Sequence, residues 1–467
     1  MKKYDVVIIG AGPGGYVAAI RLAQLGKKVA VIEKDQVGGV CLNVGCIPSK
    51  AMILASEFYQ NISKAEQFGF TVKEVSIHAD KLQAWKESVV KKLTGGIATL
   101  LKVHKIDSIK GEASFKARRE IVVKNSAGEE TLEFDNAIIA TGSSPIIIPG
   151  FALDKKYIGT STEGLAYEKI PKELCVIGGG YIGLEIGSLY AALGSKVTVV
   201  EAFASLLPGT DPDLVQVVAR ELRRRDVNVM LNTKALSWKE VKGKAEVTVE
   251  KKGEPQKILA DKVLVAVGRS PNTKNMGLEM IGIQFDDKGF IKVNDKMQTQ
   301  VEGIYAIGDC AGQPMLAHKA SKEGLVAAGV IAGKKESYDV RAMPAVIFTT
   351  PEIATVGMDE SQAKAAGIAT KSGKFPFAAS GKALATGETD GFVKIVSDAK
   401  TDLVLGVQIV GHDASNLIGE ACLALEMGAT SEDIARTVHP HPTLTESLME
   451  AAEAVHGTAI HIFQQRL

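Results

Sequence analysis

The stretch Val6–Lys34, VVIIGAGPGGYVAAIRLAQLGKKVAVIEK, decides the fold. An apolar run enters a glycine turn, a helix-forming segment follows, and a second apolar run ends at Glu33. That order of strand, turn, helix and strand is a βαβ unit. The turn carries G-x-G-x-x-G as Gly10, Gly12 and Gly15, with Gly14 inside it. In such a turn the first glycine makes the bend and the second lets the backbone approach a pyrophosphate. The third lets the helix pack on the strand. The helix start offers unpaired N–H groups and a partial positive charge to phosphates. An acid about 20 residues on, here Glu33, accepts hydrogen bonds from a ribose.

One such turn is weak evidence, but the chain contains it twice. Leu174–Ala202 reads LCVIGGGYIGLEIGSLYAALGSKVTVVEA, with Gly178, Gly180, Gly183 and Glu201 each 168 positions after Gly10, Gly12, Gly15 and Glu33. Leu193-Gly194 stands at the same offset from Leu25-Gly26, so the copies align without a gap. A second echo pairs DNAIIATGSSP (Asp135–Pro145) with DKVLVAVGRSP (Asp261–Pro271), each read as the closing strand of its nucleotide unit. The duplication predicts two bound dinucleotides. Glu201 favours NAD over NADP at the second site. A 2′-phosphate ~4 Å from that carboxylate, at an effective dielectric of ~20, meets a repulsion of about 4 kcal/mol per pair of unit charges, and no arginine follows closely to offset it.

The 467 residues are too many for one simple core and suggest roughly three or four domains. Lysine plus arginine, 55, nearly cancels aspartate plus glutamate, 54, which argues against nucleic acid or an anionic membrane as a partner. No apolar run is expected to span a bilayer, and the chain enters its first strand at once, so a cytoplasmic or equivalent setting is expected. The 47 glycines imply many tight turns and close backbone approaches. Between the two copies, Lys64–Lys105 reads as polar and helical.

Five cysteines do not describe a secreted disulfide scaffold. Cys41 and Cys46 lie in GGVCLNVGCIPSK, directly after the first unit. An undistorted helix would hold their Cα atoms roughly 8 to 9 Å apart, beyond the ~7 Å reach of a disulfide. If they pair, the segment must be a distorted turn, which Gly45 permits, and a strained bond of that kind is easily reduced. Two unrelated thiols and a zinc site are the competing readings, although zinc needs about four ligands and no second cysteine pair is present. No metal site is expected. Cys175, Cys310 and Cys422 read as small buried hydrophobes.

CLNVGCIPSK after a G-x-G-x-x-G unit resembles the redox segment of the flavin-dependent disulfide reductases, the family of lipoamide dehydrogenases, glutathione reductases and mercuric reductases. GIYAIGDC (Gly303–Cys310) and HPHPTLTE (His439–Glu446) agree with it, and the likeness covers essentially the whole chain in the family's order. The fold it implies is α/β, with two Rossmann-like dinucleotide-binding domains, a central domain and a C-terminal α+β dimerisation domain. The expected boundaries are 1–146 for the FAD domain with the cysteine pair, 147–275 for the NAD domain, 276–345 for the central domain completing the FAD site, and 346–467 for the interface domain.

By the same resemblance, Cys41 meets the substrate disulfide, Cys46 lies against the flavin, His441 is the base and Glu446 holds its imidazole. A base is needed because only a thiolate attacks sulfur, and free thiols are mostly protonated at pH 7. Histidine titrates in that range, and a carboxylate on its second nitrogen fixes the tautomer. Among the eight histidines, His439 and His318 read as structural. For FAD the resemblance implies Gly10, Gly12, Gly14, Gly15, Glu33, Ala113, Gly142, Asp309 and Ala317, with Lys50 and Glu185 as a pair beside the ring. For NAD it implies Gly178, Gly180, Gly183, Glu185, Glu201, Ala235 and Gly268.

Three branches of the family compete. Mercuric reductases end in a further cysteine pair, and this chain has none after Cys422. Glutathione reductases use NADPH, against which Glu201 argues, and PTLTE stands near the lipoamide pattern PTLSE. The lipoamide branch is therefore expected: a homodimer whose His/Glu pair reaches the other subunit's site. The expected partners are lipoyl domains of 2-oxoacid dehydrogenase or glycine-cleavage complexes. An NADH-dependent reductase of another small disulfide, or a docked assembly subunit, are the alternatives.

Overall fold

The computed structural model describes residues 2–464; Met1 and the last three residues of the HIFQQRL end lie outside them. The chain forms two compact units, one of Met1–Pro171 with Leu264–Asp339 and the other of Lys172–Val263 with Val340–Leu467.

In the first unit, β1 (Lys2–Ile9) is followed by helix α1 (Pro13–Gln24) and β2 (Val29–Glu33). Strands β3 (Asp107–Lys110), β4 (Glu112–Ala117), β5 (Glu120–Asn125) and β6 (Gly128–Ile139) extend the sheet to the order β3-β2-β1-β6-β5-β4. β1 runs parallel to β2 and to β6, with Val6 opposite Val29 on one side and Asn136 on the other. The strand Ile304–Ala306 adds to β6 in parallel. Val6 and Ile8 enter one apolar cluster while Val7 and Ile9 enter another, so β1 is buried on both faces. This is why its run reads as continuously apolar rather than alternating. The β4–β6 antiparallel ribbon was not foreseen. Phe115 and Phe134 pack across it edge to face, with ring centroids 6.1 Å apart.

Lys64–Lys105 divides into a single 3-10 turn at Ala65–Phe68, an irregular stretch, and helix α4 (Ala79–Val103). The expectation that no segment could span a membrane needs correction, since Gly39–Ile62 is long and apolar enough by composition. The non-helical Gly45 divides it into α2 (Gly39–Val44) and α3 (Cys46–Ser63). The apolar residues Leu42, Met52 and Ile53 are buried within the protein.

The second unit repeats the first pattern. Glu173–Ile177 pairs in parallel with Lys196–Val200, which pairs in parallel with Asn228–Met230. Helix Tyr181–Ala192 connects the first two strands. An antiparallel ribbon of Thr233–Val241, Lys244–Lys251 and Glu254–Ala260 follows. The C-terminal part is α+β, a five-stranded antiparallel sheet over Ala345–Gly411. Its core gathers Phe375, Val393, Ile395, Val407 and Ile409 with Leu417 and Ile418 from helix Ala414–Met427 and Leu448 from helix Glu446–Val455.

Candidate active site

The two glycine turns match bond for bond. Gly10 N–H donates to the Ile32 carbonyl at 2.8 Å, and Gly178 N–H donates to the Val200 carbonyl at 2.9 Å. A Cβ at Gly15 would lie 1.9 Å from the Gly10 carbonyl oxygen, and one at Gly183 would lie 2.1 Å from that of Gly178. Each third glycine is thus required by helix-on-strand packing. At the middle positions the reverse holds. A Cβ at Gly12 would come no nearer than 3.9 Å to any atom, and at Gly180 nothing lies within 4 Å. Packing does not require glycine there. An empty cradle at a helix start is what a pyrophosphate needs, so both turns fit a dinucleotide. Gly14 faces the helix Ala317–Ile331, whose Ala320 carbonyl would be 3.0 Å from its Cβ.

The two acids also correspond. Glu33 accepts the Ala11 and Asp35 N–H groups, each at 2.8 Å. Glu201 accepts the Gly179 N–H at 2.6 Å and the Phe203 N–H at 2.8 Å. Each carboxylate braces its own glycine turn and keeps further lone pairs for hydroxyl donors. Gly111 N–H donates to the Glu33 carbonyl and Thr233 N–H to that of Glu201. Ala113 and Ala235, each two residues on, therefore sit at matching places beside the two acids.

Asp309 lies in a 3-10 turn, Gly308–Cys310, just past the strand Ile304–Ala306. Ser143 Oγ donates to its carboxylate at 2.5 Å. Arg269 in turn holds Ser143, with Nε 2.7 Å from Oγ and a terminal nitrogen 2.6 Å from the carbonyl. Neither Ser143 nor Arg269 was singled out from the sequence, although both belong to the echoed GSSP and GRSP segments. Gly142 (φ +69°) and Gly268 (φ +126°) precede them in left-handed backbone that favours glycine. Ala317 opens the helix Ala317–Ile331 and His318 follows it.

At the cysteines the chain takes the distorted turn that pairing demands. Gly45 has φ −138° and ψ −112° and separates α2 from α3. A Cβ there would meet the Val40 carbonyl at 2.9 Å and Cys41 Cα at 3.4 Å. Both cysteines are thiols in this structure. The hydrogen bond to Cys46, then burial, then the Cys46 charge push the Cys41 thiol well above its ordinary range, against the pull of the Lys50 charge. The pair thus gives up one proton far more readily than two. Cys46 is the first residue of α3, where the helix dipole favours a thiolate, and Lys50 stands one turn further on.

In the second unit, Glu185 is buried on helix Tyr181–Ala192 and accepts the Phe348 N–H at 3.0 Å. His441 Nδ1 lies 2.9 Å from Glu446 Oε1, and Thr443 N–H donates to Oε2 at 2.8 Å. Burial opposes ionisation of Glu446. The Thr443 N–H, the hydrogen bond to His441 and the histidine charge outweigh it and hold the carboxyl below its ordinary range. The His441 side chain is 78% exposed, leaving its Nε2 edge open to a proton donor. His439 differs: its side chain is 4% exposed and both ring nitrogens are engaged, by Glu420 and by the Thr437 carbonyl at 2.8 Å. Among the described residues no cluster of three or more His, Cys, Asp or Glu could hold a metal.

Comparison with known proteins is consistent over the full length. Residues 4–324 match the pyridine nucleotide-disulphide oxidoreductase model, and residues 343–452 match the dimerisation domain of the same family. A dihydrolipoyl dehydrogenase of Thermus scotoductus is 50% identical over 468 residues, 100% of both chains. That of Bacillus subtilis is 49% identical over 98% of this chain and 97% of its own. Among solved structures, LpdA of Mycobacterium tuberculosis superposes with a TM-score of 0.91 at 29% identity, covering 97% of this chain and 99% of that one. The HOCl-induced flavoprotein disulfide reductase RclA of Escherichia coli gives 0.86 at 28% identity, over 96% and 99%.

Proposed function

The chain belongs to the pyridine nucleotide-disulphide oxidoreductase family, and from that premise we propose that it oxidises dihydrolipoyl groups to the cyclic disulfide and passes the electrons to NAD⁺. The observation that carries this reading is the full-length, 50% identity to a dihydrolipoyl dehydrogenase, joined to a thiol pair folded around Gly45. Gly10, Gly12, Gly14, Gly15, Glu33, Ala113, Gly142, Asp309 and Ala317 hold FAD. Gly178, Gly180, Gly183, Glu201, Ala235 and Gly268 hold NAD, and Lys50 and Glu185 serve the ring. FAD supplies the two-electron relay between a dithiol and nicotinamide that no side chain offers.

The residues do the rest. His441, oriented by Glu446, takes a proton from a substrate thiol, and the resulting thiolate attacks Cys41 Sγ of the oxidised pair. The Cys41–Cys46 bond breaks, Cys46 leaves as the thiolate favoured at its helix start, and a substrate–Cys41 disulfide forms. The second substrate thiol, deprotonated in its turn, displaces Cys41 and closes the cyclic disulfide. Two substrate thiols are oxidised and one enzyme disulfide is reduced. The match of residues 343–452 to a dimerisation domain supports a homodimer, in which His441 and Glu446 serve the other subunit's cysteine pair. The substrate is carried on lipoyl domains of 2-oxoacid dehydrogenase or glycine-cleavage complexes, in the cytoplasm. A small disulfide reduced by NADH is the second reading, favoured by the likeness to RclA.

The test is NAD⁺ reduction by dihydrolipoamide on the purified flavin-loaded protein, with NADP⁺ in parallel. Rapid NADH formation with NADP⁺ inert is expected. Absence of turnover, with the flavin still reduced by NADH, would move the substrate to another disulfide.

A further inference from the structure

The helix Ala317–Ile331 carries a charged pair that the chemistry above does not use. Lys319 and Glu323 are 5% and 4% exposed, and Lys319 Nζ lies 2.8 Å from Glu323 Oε1. Burying two charges is unfavourable unless further hydrogen bonds complete the pair. Here two do, and both reach one turn. Glu323 Oε2 accepts the Gly308 N–H at 2.7 Å, and Lys319 Nζ donates to the Gly312 carbonyl at 3.2 Å. Gly308 and Gly312, at φ +72° and +145°, bracket Asp309 where the chain leaves the sheet. A carboxylate meets the donor at the front of the turn and an ammonium meets the acceptor at its back. Apolar side chains of equal volume would leave both backbone groups unsatisfied.

The same helix is seated against the first glycine turn. A Cβ at Gly324 would lie 2.7 Å from the Gly14 carbonyl oxygen, so the two helices approach backbone to backbone. One helix therefore begins at Ala317, presses on Gly14 and grips both ends of the Asp309 turn.

We infer that Lys319 and Glu323 are positioning residues for FAD, locking the Asp309 turn to the helix that opens at Ala317 so that both flavin contacts keep a fixed separation. The inference rests on the assignment of Asp309 and Ala317 to FAD made above. Neither residue is catalytic, since each acts through the turn.

The test uses the full-length, flavin-loaded protein with Glu323→Gln, Lys319→Met, the double variant Lys319→Met/Glu323→Leu, and Asp309→Ala as reference. FAD release is followed by dilution and filtration, alongside the visible flavin spectrum, circular dichroism, and the melting temperature with and without added FAD. Each variant of the pair is expected to release FAD about tenfold faster than the parent, the scale of one unsatisfied buried group. The double variant removes both buried charges, so it is expected to stay folded and still leak. A folded double variant that holds FAD like the parent, beside a leaking Asp309→Ala, would overturn the inference and leave the flavin assignment standing. Parental retention in Asp309→Ala would overturn both. Failure of every variant of the pair to fold would also overturn it, by making the pair an element of the fold alone.

Discussion

Alanine at Gly180 and at Gly183 separates ligand approach from packing within one turn. Gly180 has φ −78° and ψ 179°, extended backbone open to any residue, and nothing lies within 4 Å of its would-be Cβ. Gly180→Ala should therefore shift stability by no more than about 0.5 kcal/mol, as surface substitutions do. The same methyl stands where the pyrophosphate must come close. Overfilling a close-packed contact costs about 1–3 kcal/mol, and here that cost falls on NAD⁺ binding alone. At 1.4 kcal/mol per tenfold, KM for NAD⁺ should rise about 5- to 150-fold. Gly183→Ala is the opposite case. Its Cβ would sit 2.1 Å from the Gly178 carbonyl oxygen and 3.1 Å from Val176 Cγ1. Backbone cannot yield as a side chain does, so the helix must leave the strand, at a cost of about 3 kcal/mol or more. Thermal melts followed by circular dichroism, with KM for NAD⁺ at fixed dihydrolipoamide, read both effects. A Gly180→Ala protein with parental KM, or one that melts as early as Gly183→Ala, would refute the reasoning.

Glu446→Gln should lower kcat about 100-fold, the usual scale for losing general-base function, with FAD content unchanged. Because the Glu446 carboxyl is held below its ordinary 4.5, its contribution to stability is full above that pH and lost as pH falls through the lowered folded value. Urea titrations through that acid window should lose this component in the glutamine variant. Gly45→Ala pushes a Cβ against the Val40 carbonyl and Cys41. It should slow dihydrolipoamide turnover about tenfold or more through misplacement of the thiols, with fewer thiols lost on mild oxidation in a thiol titration. Lys394, 4% exposed, pairs with Asp211 and lies 3.6 Å from Asp213 and 3.5 Å from Glu360. Lys394→Met should cost about 3–5 kcal/mol by stranding a buried carboxylate. Adding Asp211→Asn should recover part of the loss, since asparagine can still accept the Asp213 N–H.

The function of the RclA-like alternative and that of the lipoamide reading use the same thiols and the same glycine turns, so neither turn discriminates between them. The residues around the base are a separate constellation. His441, Thr443 and Glu446 lie within six positions, and their contact needs only a local turn. Such a constellation is local enough for the family resemblance to point to it. His439, two residues earlier in the same segment, shows the limit of that reading, because its bond to Glu420 depends on a neighbouring helix.

What the sequence determined by itself is what short spacing can carry: the two strand–turn–helix units, the need for glycine at Gly10, Gly15, Gly178 and Gly183, and, on condition that Cys41 and Cys46 pair, a distorted turn at Gly45; the His441–Glu446 pair came from the family resemblance. In each of these the interacting atoms are close along the chain or repeat at one fixed offset, so residue type and spacing nearly fix the geometry. Tertiary structure alone decided that Ser143 and Arg269, 126 positions apart, jointly aim Asp309. It also decided that Lys319 and Glu323 face inward onto the Asp309 turn, and that Lys394 meets Asp211 across 183 positions. An i,i+4 lysine and glutamate read from sequence as a solvated helix face. Only the packing of that helix against the first glycine turn removes the water and leaves the turn's backbone as the pair's remaining partner.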